Sequence, residues 1–129
     1  MPHIVHNPAR VAGPDGRFSH GIEVAPNARW LYTTGQIGAD PDGYVPADIH
    51  EQCELVFGNL RAILAEAEMD FGDVVRMNAY LTSPDWIMPY AHARDAVLVE
   101  LYPASTVLIV PALALPEFKV EVEAVAAKA

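Results

Sequence analysis

An α+β fold, with two helices on one face of a sheet of about five strands, is what the order of hydrophobic periods in this chain predicts. Two stretches of helical period lie among segments that alternate every second residue. The clearest alternation is in Lys119 to Ala126, where Val120, Val122 and Ala124 face one way and Glu121 and Glu123 the other. With 129 residues and 52% hydrophobic content, the chain fits one domain, 1–129, large enough to bury about two-thirds of its unfolded surface.

Phe18 to Val24 and Arg29 to Thr34 read as strands, and the turn-rich Ala25-Pro26-Asn27-Ala28 between them suits an antiparallel hairpin. Gly35 then breaks the strand. Ala39-Asp-Pro-Asp-Gly43 is a turn cluster. Asp48 and Glu51 have the spacing of a capping box, and Ile49, Cys53, Val56, Leu60, Ile63, Leu64 and Ala67 form one apolar stripe ending near Met69. Phe71-Gly72-Asp73 turns the chain into a third strand, Val74 to Leu81. A second helical region starts at Thr82-Ser83-Pro84-Asp85. Pro89 is confined to its first turn, and the helix is expected to run through Tyr90, Ala93, Val97 and Leu101 until Tyr102-Pro103. Thr106 to Val110 is apolar on both faces, and Lys119 to Ala126 closes the sheet.

Composition removes several function classes. The net charge is −9, from 17 acidic and 8 basic side chains with no basic cluster, whereas nucleic-acid binding rests on many phosphate contacts. Nucleic acid is therefore not an expected partner. No stretch approaches the roughly 18 apolar residues of a membrane span, and the N-terminus lacks a signal-like apolar core. The expectation is a soluble cytoplasmic protein with no membrane partner. Cys53, the single cysteine, falls in frame with the helical stripe and is assigned to core packing. The five histidines lack the paired spacing of a zinc motif, and His3 and His6 fall in an expected N-terminal tail. No metal or other cofactor is expected.

Two helices cover only one face of such a sheet. Val107 and Ile109 lie opposite Leu108 and Val110, so both faces of that strand need burial. A second copy of the chain is the economical cover, which predicts an oligomer with a cleft between subunits holding Ser105, Val107, Glu121 and Glu123.

The same element order, with Thr34-Gly35-Gln36-Ile37, Val45-Pro46-Ala47-Asp48, Tyr102-Pro103-Ala104 and Val120-Glu-Val-Glu-Ala-Val125, resembles the Rid (YjgF) family. Its members are reactive-intermediate deaminases, also labelled L-PSP endoribonucleases. The likeness runs from about Gly16 to Ala126. It implies a chorismate-mutase-like fold and a homotrimeric barrel with small-molecule clefts at the three interfaces. By this resemblance Glu121 matches the family glutamate that handles the attacking water. Thr34 matches a cleft serine and keeps its hydroxyl, whereas Phe18 stands where a loop tyrosine is usual. Ser105 occupies the position of the arginine that grips the substrate carboxylate, and Val107 that of a cysteine. Arg17, beside Phe18, is a candidate replacement cation, although an exposed loop charge is the simpler account of it.

Losing one charged hydrogen bond costs roughly 1.5 to 3 kcal/mol, about 10- to 150-fold. The expected activity is therefore a deaminase-type hydrolysis of an imine, enamine or related C–N substrate, weak or absent on simple 2-imino acids. The alternative is a trimer that binds or senses a metabolite without turning it over. A ribonuclease or translation inhibitor, which the older label suggests, fits the acidic surface least. Ser105 and Thr106 lack the setting of a covalent nucleophile.

Overall fold

The structure, a computed structural model, describes residues 3–14 and 18–129. Its strands are β1 (Ile4–His6), β2 (Gly21–Glu23), β3 (Arg29–Tyr32), β4 (Gln36–Ile37), β5 (Val74–Leu81), β6 (Ala104–Ile109) and β7 (Val120–Lys128), with helices α1 (Ile49–Glu66) and α2 (Ile87–Val97). Five strands form a mixed sheet ordered β3-β7-β5-β6, with β4 also on β7. β5 and β6 are parallel and joined through α2, while β7 runs antiparallel to β3, β4 and β5. This is the α+β arrangement expected.

The core lies between the helices and the sheet. Cys53, Val56, Phe57, Leu60 and Leu64 of α1 meet Met77, Ala79 and Leu81 of β5 and Val120, Val122, Ala124 and Ala126 of β7. Tyr90 of α2 stacks on Phe57 at 5.9 Å between centroids. Asp48 caps α1 by accepting the Glu51 N–H at 3.0 Å, which satisfies one of the donors a helix start leaves open.

Gln52 is the polar exception in this core. It is fully buried, yet its amide nitrogen donates to the carbonyls of Pro46 (2.8 Å) and Glu117 (2.9 Å) and its oxygen accepts the Lys119 N–H (3.0 Å). These bonds tie α1 to the segment that enters β7. The backbone of Gly38 lies so close that a Cβ there would stand 2.6 Å from the Gln52 Cα.

Three expectations are corrected. No hairpin joins β2 to β3: β2 pairs with β1 in a separate ribbon, and β3 pairs with β7. The residues assigned to a tail thus form a strand. His3 explains the exchange, because its Nδ1 accepts the Ala25 N–H at 3.0 Å while its Nε2 donates to the Ala127 carbonyl at 2.8 Å, which fixes the turn to β7. The second helix ends at Val97 instead of reaching Leu101, and Glu100 takes φ 55° in the exit.

A bulge changes the phase of β5. Val74 pairs with Ala126 and Arg76 with Val125, so Val75 is an extra residue, and both valines are buried. From there Met77, Ala79 and Leu81 face the helices. Arg76, Asn78 and Tyr80 face the uncovered side, and Val107, Leu108 and Ile109 of the edge strand β6 stay 37%, 49% and 44% exposed.

Candidate active site and open sheet face

β7 carries Glu121 and Glu123 on the uncovered face, each partly buried, while their neighbours Val120, Val122 and Ala124 are buried under the helices. What distinguishes Glu121 is the backbone below it. Tyr32 pairs with Val125 and Gln36 with Val122, so Thr33, Thr34 and Gly35 stand opposite Glu123 and Ala124, one residue in excess. Thr33 holds this bulge by donating its N–H to the Ala124 carbonyl and accepting the Ala124 N–H on its hydroxyl, both at 3.0 Å. The Glu121 side chain packs directly on Gly35: a Cβ built there would overlap the carboxylate and stand 2.8 Å from Cδ and 2.9 Å from Cγ. Glycine leaves the space in which that carboxylate rests.

Thr34 precedes that glycine and is exposed. The structure thus brings Thr34 and Glu121 to one bulge. Across β7, Tyr80 pairs with Glu121 and donates its hydroxyl to Glu123 Oε1 at 2.5 Å. The Glu123 hydrogen bond is the main influence holding the Tyr80 phenol above its ordinary pKa of 10.0, with burial and the two glutamate charges adding to it. Glu123 is therefore an acceptor tied to Tyr80.

The other candidates lie elsewhere. Phe18 lines an apolar pocket of about 410 Å³ with Val5, Pro14, Leu101 and Tyr102, and the following Ser19 bonds the carbonyls of Tyr102 (2.5 Å) and Pro103 (3.3 Å). This places Phe18 beside the segment leading into Ser105. Ser105 pairs with Met77 and Val107 with Ala79, so both share the helix-ward side of the sheet, opposite the face of Glu121. Arg17 lies outside the described residues.

Ser105 and Glu121 are not neighbours in one chain. Their β5 partners, Met77 and Tyr80, are three residues apart, about 10 Å along the strands, with about 10 Å more across them. Sequence reasoning had also passed over Arg76, Asn78 and Tyr80. Their alternation with Met77, Ala79 and Leu81 was the available signal, since it puts three polar side chains beside the two glutamates. Among the described residues no cluster of three or more His, Cys, Asp or Glu side chains suits a metal ion.

The comparisons with known proteins match this architecture. The endoribonuclease L-PSP family profile covers residues 9–128. The chain is 35% identical over 108 residues to a RutC family protein encoded in the leuC 5′ region of Leuconostoc mesenteroides, an alignment covering 79% of this chain and 82% of that one. It is 31% identical over 74 residues to the putative reactive intermediate deaminase TdcF of Escherichia coli, where the match covers 57% of this chain and just 55% of TdcF. The Rid-family protein YyfB of Yersinia pestis superposes with a TM-score of 0.85 at 31% identity, covering 98% of both chains. E. coli TdcF with bound serine superposes at 0.73 with 27% identity, again over 98% of each. On its sequence and its fold alike, the chain belongs to the Rid family, the family of the endoribonuclease L-PSP profile.

Proposed function

We propose that the protein is a deaminase-type hydrolase acting on an imine, enamine or related C–N substrate, with Glu121 handling the water. Its family includes proteins named reactive intermediate deaminases and a 2-iminobutanoate/2-iminopropanoate deaminase, which supports this class of chemistry. The observation that carries the reading is the seat of Glu121 on Gly35, the residue that follows Thr34. A bulge held by paired Thr33 bonds fixes a carboxylate at the edge of an uncovered face. In the proposed reaction water attacks the C=N carbon as Glu121 accepts its proton, and that proton passes to nitrogen. The carbinolamine then collapses, breaking the C–N bond to release ammonia and a carbonyl. Thr34 orients the substrate.

Ser105 supplies no positive charge, so a simple 2-imino acid loses its usual carboxylate grip and is a poor substrate. Phe18 and Ser105 meet Glu121 through a second copy of the chain, in a homotrimer whose interfaces cover the exposed β6 side chains. The test follows freshly generated 2-iminobutyrate and several enamine analogues with wild type and Glu121→Gln. A loss of about 10²- to 10⁴-fold on the preferred substrate is expected, and unchanged rates on every turned-over substrate sink the role of Glu121. The absence of an arginine at Ser105 also supports a second reading, a metabolite-binding trimer without turnover. Metabolites that raise the thermal midpoint while remaining unconsumed would select it.

A further inference from the structure

Two polar side chains of α1, Gln52 and Asn59, bond the backbone of the strands beside Glu121. Gln52 accepts the Lys119 N–H at 3.0 Å, at the entrance to β7. Asn59 donates its Nδ2 to the carbonyls of Ile37 at 3.3 Å and Ala39 at 3.1 Å. A carbonyl can only accept, so both neighbours demand the NH₂ end of the Asn59 amide, and its orientation is fixed. Ile37 is the β4 residue that pairs with Glu121. Between the two bonded carbonyls the chain turns tightly at Gly38, closed by the Ala39 N–H on the Ile37 carbonyl at 2.9 Å. Gly38 itself lies against the Gln52 backbone, where a Cβ would stand 2.6 Å from the Gln52 Cα. Helix α1 therefore grips the far end of β4 directly.

β4 needs such a grip. It consists of Gln36 and Ile37 alone, too short a strand to hold its register by ladder bonds, and it follows a bulge that puts the ladder out of step. Yet Gly35, immediately before it, seats the Glu121 carboxylate. We propose that Asn59 is a positioning residue for Glu121. By pinning the Ile37 and Ala39 carbonyls it sets where β4 lies along β7, and through β4 it sets the place of Gly35 under the carboxylate. Asn59 stands on the helix side of the sheet and Glu121 on the other, so any effect on chemistry passes through β4. Its consequence for turnover rests on the proposed role of Glu121, whereas its hold on β4 does not.

Asn59→Ala removes both donors, and Asn59→Asp removes them while keeping the shape. Each is compared with wild type on whichever imine or enamine is turned over fastest, after circular dichroism has confirmed that the variant is folded. Either change should lower kcat by about 10- to 100-fold with KM unchanged, because the reacting group is misplaced while the contacts to substrate remain. Made in Glu121→Gln, the same changes should cost almost nothing further, since residues that act through one group are not additive. A merely structural asparagine would lower the rate equally in both backgrounds. That result overturns the proposal, as does an unchanged kcat where Glu121→Gln is slow. Amide hydrogen exchange gives a readout free of catalysis: it should quicken in β4 and its partners Glu121 and Val122 while β3, elsewhere on β7, keeps its wild-type rates. Exchange that is unchanged in β4, or faster everywhere alike, also overturns the proposal. Should Glu121→Gln leave every rate unchanged, or no substrate be turned over, the catalytic reading fails and exchange alone decides whether Asn59 holds β4.

Discussion

The missing side chain of Gly35 is the floor under the Glu121 carboxylate. The group in the way of a Cβ is the end of a flexible side chain, so Gly35→Ala is expected to move the carboxylate and leave the backbone in place. Activity should fall by about 10²-fold or more, since a small misplacement of a reacting group is costly, while the thermal midpoint barely changes. A large fall in midpoint would show that the glycine serves the fold instead. Tyr90 is the opposite case. Its ring is buried against Phe57, and its hydroxyl is buried without a hydrogen-bond partner. Burial pushes its phenol up to about 12. Tyr90→Phe keeps the ring and removes the unmet group, so it should be more stable by about 1 kcal/mol in urea unfolding.

The same phenol gives the folded state an alkaline limit. A pKa higher in the folded than in the unfolded chain contributes stability below about 10, where the unfolded tyrosine titrates, and that contribution is lost as pH rises through about 12. The thermal midpoint of wild type should therefore fall between these values, and less steeply in Tyr90→Phe. Cys53, fully buried and raised by burial to about 11, should resist thiol reagents until the protein unfolds.

At the scale of elements, legibility followed the strength of the period. α1 and β5 were readable because a stripe or an alternation ran through their length, and Asp48 marked the helix start. Gln52 was invisible to that reasoning: a polar residue is scored as surface, and only the carbonyls of Pro46 and Glu117, set by distant chain, make it a strut. Gln52→Ala would strand those carbonyls and the Lys119 N–H in the interior. A loss of about 3 kcal/mol or more is expected in denaturant unfolding, larger than a surface change on the same helix. The hairpin expectation failed because pairing depends on a partner, and β7 competed successfully for β3. The bulges at Val75 and at 33–35 escaped for a related reason: one extra residue flips the facing of all that follow, and the sequence does not mark it. Glu121 and Thr34 were legible as candidates from the family pattern. That Gly35 seats the Glu121 carboxylate was not.

For the whole molecule, the proposed homotrimer makes the exposed β6 side chains the test. Sedimentation of wild type should give three times the 14.0 kDa chain mass, and Leu108→Glu, placing a charge on a residue 49% exposed in one chain, should shift it to monomer with secondary structure retained. An unchanged mass would mean that the interface lies elsewhere. Either way, the chain is organised around β7, which pairs with β3, β4 and β5 and carries both glutamates. The strand that fills the middle of the sheet is synthesised after all its neighbours. While residues 120–128 are still in the ribosome, β3 and β5 have no partner to share, and α1 lacks the β7 side chains it packs against. Most of the nascent chain must therefore wait, with its apolar strands open, and the sheet closes in one late step. This protein thus has its greatest need of protection from aggregation until residues 120–128 have emerged.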